Sequence, residues 1–317
     1  MLYSRRQLSS PYFDHQTAMS RYLNKYLYQK SEFKRLKAHE KDYVFEWANH
    51  ILDNQGNPII NLYEEPLASE YLFYRIILTY GEDVDSFNGR FTDHKGVIPE
   101  NQVQKDKSYF DTSLSLWKKL IHEHKGPYLS IIEPMLRRKL DELKRACKTD
   151  EEYCSREKYC YAVFFYLYYK AKIYFDELKK KALVFTIKDY TFVANIYTFC
   201  HIFTRHYVPS LNRGIDGNSM NDELPCIDIN NFLESIQGLI TSFFSVCNEL
   251  DTTKEYLLFK LNNDPYIIWI KYKHLDELSK NYGFEIRSFY KCETDNDLIR
   301  FNDTHDVPIG KGVVCCI

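Results

Sequence analysis

The chain has 317 residues, of which 44% are hydrophobic and 16% aromatic, with only 11 glycines. That is enough apolar material for a substantial core spread over two domains, and large aromatics with few glycines favour packed helices over a loop-rich fold. The formal net charge of −2 excludes polyanion binding by overall charge, so a nucleic acid would have to be held by a local basic patch.

The opening Met1-Leu-Tyr-Ser-Arg-Arg6 leads into no apolar stretch, so no signal peptide is read there. From Thr17 to about Leu52, aromatic and aliphatic residues recur at helical spacings until Asn54-Gln-Gly-Asn57 stops them. Pro58-Ile-Ile-Asn-Leu-Tyr63 reads as a short strand, and a helix follows from about Pro66 to Tyr80, closed by Gly81. The polar stretch from Glu82 to Phe110, with Arg90 and His94, reads as a long loop. Three further helices are expected at about 111–124, 127–147 and 150–182. The second carries Arg137, Arg138, Lys139, Lys144 and Arg145 opposite its leucines, a basic face that is either merely solvated or able to hold phosphates. The apolar run at 162–169 is too short to span a bilayer. The expectation is a cytoplasmic protein with no membrane partner. Nine cysteines without a secretion signal read as reduced thiols. Cys147, Cys154 and Cys160 lack a second ligand pair at zinc-finger spacing. Cys315-Cys316-Ile317 places no cysteine fourth from the end, so it is not a CaaX box; it slightly resembles a different prenylation tail, but an ordinary chain end is the better reading.

The texture changes after about residue 186. A helix is expected from Asp189 to about His206, closed by Pro209. A polar loop at 212–222 follows, with Ser219 and Asn221. Asp228 then caps an amphipathic helix with Phe232, Ile236, Leu239, Ile240, Phe243 and Phe244 as its stripe. Two β-like runs, at 255–261 and 265–272, flank the turn signal Asn262-Asn-Asp264, and a third run at 284–291 completes an antiparallel sheet. The fold class read from this order is α+β. A mainly helical domain, 1–186, precedes a helix-helix-antiparallel-sheet module, 187–317.

Chemistry concentrates in His201-Ile-Phe-Thr-Arg205-His206. Cleaving RNA without a metal needs a base for the 2′-OH, an acid for the leaving oxygen and a cation at the phosphate. Two histidines and an arginine suit those three tasks. On a helix His201 and Arg205 share a face, whereas His206 converges with them only if the helix ends near it. The structural alternative makes His206 a core or capping histidine and pairs Arg205 with a surface acid. No carboxylate pair suited to Mg²⁺ lies nearby, so no cofactor is expected.

The order of this cluster, a polar loop, an amphipathic helix, a hairpin and the strand Ile286-Arg-Ser288-Phe-Tyr290-Lys291 resembles the barnase/EndoU/RelE-like ribonuclease superfamily of bacterial toxin domains, over about 189–303. The resemblance implies a metal-independent endoribonuclease of toxin or defence type, with RNA as substrate and an antitoxin or immunity protein as partner. It implies His201 and His206 as acid and base, with Arg205, Ser288 and Tyr290 completing the catalytic set. Ser219, Asn221 and Arg287 would contact substrate, although a regular strand would aim Arg287 and Ser288 at opposite faces. The sequence departs from the family pattern at Tyr207, Ser288 and Lys291, and residues before about 186 resemble no family. Arg300 and His305 have the Arg-x4-His spacing of another ribonuclease class, but in a terminal loop. Two other functions compete: a non-catalytic helical interaction protein of a prokaryotic defence or mobile-element system, and a nucleic-acid-binding protein that does not cleave.

Overall fold

A computed structural model describes residues 1–93, 96–204, 232–273, 282–310 and 312–317. The chain divides into two compact units. The first comprises 1–129 with 136–179, and the second comprises 130–135 with 180–317.

The described residues of the first unit are helical apart from a two-stranded ribbon, β1 (Thr92–Asp93) with β2 (Gly96–Val97). The single long helix expected at 17–52 is broken into α2 (His15–Tyr28), α3 (Lys30–Lys34) and α4 (Ala38–Trp47), after a short α1 (Arg5–Leu8). The expected strand at 58–63 is absent, and only an isolated bridge joins Leu52 to Pro58. The helix expected over 66–80 is found as a 3₁₀ turn, Pro66–Ala68, running into α5 (Ser69–Tyr80), and Gly81 closes it with φ +57°. The expected long loop is shorter than predicted, because α6 (Glu100–His122) starts well before residue 111. Next come α7 (Leu129–Ala146) and α8 (Asp150–Leu178), which ends where Lys179 turns left-handed. Between Cys160 and Phe175 nearly every side chain of α8 is buried, so it is the central helix of this unit, apolar all round. Phe73, Phe110, Trp117 and Phe165 interlock around it with ring centroids 4.3–5.3 Å apart. Asp106 is buried there and is satisfied by Tyr63, Tyr80 and Arg75.

The described part of the second unit is built on a seven-stranded mixed sheet of order β3-β4-β7-β6-β5-β9-β8. Its strands are β3 (Ala182–Ile187), β4 (Tyr190–Asn195), β5 (Tyr256–Leu261), β6 (Asp264–Lys273), β7 (Tyr282–Lys291), β8 (Asp306–Gly310) and β9 (Val313–Cys316). The α+β class is as expected, but the sheet is larger and not wholly antiparallel, because β4 pairs with β7 in parallel. The expected 189–206 helix is also corrected. Residues 190–195 are the second strand of a hairpin, α9 (Ile196–Ile202) is the α-helical part among the described residues, and the expected end at His206 and Pro209 lies outside them. Phe192, Ile196, Phe199 and Phe203 have helical spacing in sequence, but the first belongs to the strand. The buried run Thr191-Phe-Val-Ala194 suits a strand covered on both sides. Asn195 then caps α9, accepting from Thr198 N–H at 3.1 Å.

The apolar helix α10 (Phe232–Val246) covers one face of this sheet with the expected stripe. Phe244 meets Phe192, which stacks on Phe284, while Phe199 and Phe203 close on Phe232. The expected hairpin turn is present: Asn262 and Asn263 both have positive φ, which matches the strand twist. On the other face, Leu258, Ile267, Cys292 and Cys316 form a smaller cluster with Tyr256, Trp269, Tyr290 and Phe301. α11 (Asp295–Leu298) leads into that Phe301.

Candidate functional site

Of the residues singled out in sequence, His201, Arg287, Ser288 and Tyr290 are described; Arg205, His206, Ser219, Asn221 and Asp228, with the loop at 212–222, lie outside the described residues. His201 sits in the last turn of α9, half-buried, and its imidazole stacks on Tyr197 with ring centroids 5.2 Å apart and planes 15° apart. The two residues are four apart on the helix and share its outer face, while Phe199 and Phe203 face the core.

The strand opposite departs from regular geometry where it matters. Trp269 pairs with Ser288, but Ile270 pairs with Ile286, so Arg287 is the extra residue of a β-bulge. Glu285 pairs with Lys271, and Lys271 shares a side of β6 with Trp269. Glu285 and Ser288 therefore lie on one side although they are three apart. Arg287 is on that side too, with its Nη2 3.1 Å from Glu285 Oε2. The expectation that Arg287 and Ser288 point to opposite faces is thus overturned, because a bulge re-aims the side chain it inserts.

Arg287 lies over Tyr197, its guanidinium carbon 5.6 Å from the ring centroid. Its Nε is buried without a hydrogen-bond partner among the described residues. Glu285 also accepts from Asn195 Nδ2 at 3.1 Å, so the cap of α9 is tied to the bulged strand. Thr198 Oγ1 donates to Ile286 O at 2.7 Å and adds a second tie. The result is an imidazole and a guanidinium braced on one phenol ring, with the buried Ser288 on the same side of β7. Such a set can hold an anion and move a proton beside it.

Tyr290 shares that side of the strand but is committed elsewhere. Its hydroxyl accepts from Trp269 Nε1 at 3.0 Å and donates to Asp297 Oδ1 at 3.4 Å. Burial pushes the hydroxyl up from the usual phenol value; the Trp269 hydrogen bond opposes this shift and Asp297 adds to it. Tyr290 thus belongs to the cluster under Phe301 and works as a structural tie. Arg300 lies over Trp269 and Tyr256 at 5.2 and 5.6 Å and is engaged in packing, whereas His305 pairs with Ile317 through its backbone and is exposed.

Tyr197, Glu285 and Asn195 were missed in sequence. The signals for them are weak: Tyr197 four before His201, Glu285 two before Arg287, and a helix cap that no periodicity marks. The basic face of α7 is exposed, with Lys139 3.5 Å from Glu142 and Arg145 Nε donating to Asp141 O. Among the described residues no group of three or more His, Cys, Asp or Glu side chains is placed to hold a metal, and no helix is long and apolar enough to cross a membrane.

No protein-family model matches this chain. No curated protein and no solved structure is detectably similar to it.

Proposed function

We propose that the second unit is a metal-independent endoribonuclease of toxin or defence type acting on RNA in the cytoplasm. The observation that supports this reading is the pairing of His201 with Arg287 through one ring. In this reading His201 transfers a proton at the scissile phosphodiester, His206 is its counterpart, and Arg205 and Arg287 hold the phosphate oxygens. Ser288 donates a hydroxyl at the same anion. Tyr290, proposed from sequence as catalytic, is left out because its hydroxyl is held by Trp269 and Asp297. Such an enzyme would require an antitoxin or immunity protein in its own cell.

The test is incubation of the purified chain with total RNA in EDTA. Cleavage should persist and leave 2′,3′-cyclic phosphate ends, with a bell-shaped rate–pH profile because one imidazole must be neutral while the other is protonated. His201→Ala and His206→Ala should each lower the rate roughly a hundredfold or more. Cleavage that stops on chelation, or persists in the double histidine variant, would place the chemistry elsewhere. A second reading, a non-catalytic interaction protein, has one observation in its favour: Tyr12 is 97% and Tyr28 78% exposed, large aromatic surface with no packing role. RNA left intact together with a co-purifying partner would favour it.

A further inference from the structure

The α9–β7 junction holds more than the residues that would touch a phosphate. Starting from the sheet, Asn195 uses its carbonyl oxygen to cap α9 and its amide to hold Glu285. Glu285 holds Arg287, Arg287 covers Tyr197, and Tyr197 stacks on His201. The helix places the His201 backbone, and the orientation of the imidazole is set by what the side chain touches. The nearly parallel Tyr197 ring lies against the imidazole face and restricts its rotation. The guanidinium holds that ring in turn, because a cation over an aromatic face is attracted by its quadrupole.

We propose that Tyr197 is a positioning residue for His201, braced by Arg287 and, through it, by Glu285 and Asn195. The proposal rests on the ribonuclease reading only for its kinetic consequence; the orientation of the imidazole is tested apart from it. The stack needs the ring of Tyr197 and not its hydroxyl, so phenylalanine should replace it and an aliphatic side chain of similar bulk should not. Misplacing a proton-transfer group by a fraction of its productive geometry costs rate more than binding.

The test compares wild type with Tyr197→Phe and Tyr197→Leu. The first readout is the His201 Cε1–H resonance, assigned by its loss in His201→Gln. Wild type and Tyr197→Phe should share an upfield ring-current shift that Tyr197→Leu lacks. The second readout is RNA cleavage, where Tyr197→Leu should lose roughly tenfold to a hundredfold in kcat with KM little changed, and Tyr197→Phe should stay within about twofold. Should Tyr197→Leu fail to fold, Arg287→Gln removes the brace from the other side and should relax the same resonance. Equal behaviour of the Phe and Leu variants in the resonance, or an unmoved resonance in Arg287→Gln, overturns the proposal. A wild type that leaves RNA intact sinks the ribonuclease reading alone, since the resonance still decides whether Tyr197 orients His201.

Discussion

Glu40 is fully buried, yet it stays ionised because four donors converge on it. Burial opposes the charge, but the Leu2 and Lys37 N–H groups, the Tyr22 hydroxyl and the Tyr3 N–H outweigh it and hold the carboxyl below its ordinary value. A carboxyl held down in the folded state stabilises that state above the unfolded value, here about 4.5. The contribution is lost as pH falls through the lower folded value. Denaturant unfolding of wild type and Glu40→Gln at pH 6 and below pH 4 should therefore show a difference that shrinks with acid. Glu40→Ala, which leaves several donors unpaired, should cost about 2–4 kcal/mol at neutral pH. A pH-independent difference between wild type and Glu40→Gln would contradict this account.

Between β8 and β9 the chain closes against the β5–β6 turn, and two glycines there have φ of +103° and +76°. Asn262 N–H donates to Gly312 O at 2.7 Å, and a Cβ on Gly312 would collide with the Asn262 side chain. Gly312→Ala should lower the unfolding midpoint by the equivalent of roughly 1–3 kcal/mol, measured by denaturant titration, through strain at positive φ and the clash together. Gly56, also at positive φ but with open space around it, should cost less when changed to alanine. This hairpin was legible in sequence because its turn chemistry is local: two asparagines at positions that need positive φ, between alternating strands. The stretch at 189–206 was not, because Phe192 continued the helical spacing of Ile196, Phe199 and Phe203 by coincidence. Nothing local announces that Thr191-Phe-Val-Ala194 will be covered on both faces. The candidate site was half legible for a related reason. His201 and Arg287 stand out by residue type, but the bulge that turns Arg287 toward Glu285 is fixed by the register of β6, and register is a property of two strands.

Each unit carries its own reporters of opening. Burial pushes the Cys160 thiol of the first unit up to about 12, and it does the same to Cys200, Cys292, Cys315 and Cys316 of the second. Cys154 is exposed. Among the described cysteines, iodoacetamide on the native protein should therefore label Cys154 before the five buried thiols, since the thiolate is the nucleophile. The five buried thiols should react only through opening of the surrounding core. Mass spectrometry of labelling against denaturant then gives one opening curve from Cys160 and another from the four cysteines of the sheet unit. Prompt labelling of Cys200 in the absence of denaturant would show that the core behind α9 is not closed as described.

The parallel pairing of β4 with β7 also sets a timetable. Asn195 and Glu285 are 90 residues apart, so α9 leaves the ribosome long before the strand that steadies it. At ordinary rates of synthesis that interval is on the order of ten seconds. Asn195, Tyr197 and His201 are translated together and Glu285 and Arg287 much later, so a nascent chain interrupted anywhere before β7 carries the imidazole without the Arg287 contact. Strand pairings that join distant segments also form late in refolding, because loop closure must precede them. Helical signal should recover before the environment of Trp269 does, and whatever His201 does should appear only with that second, slower phase.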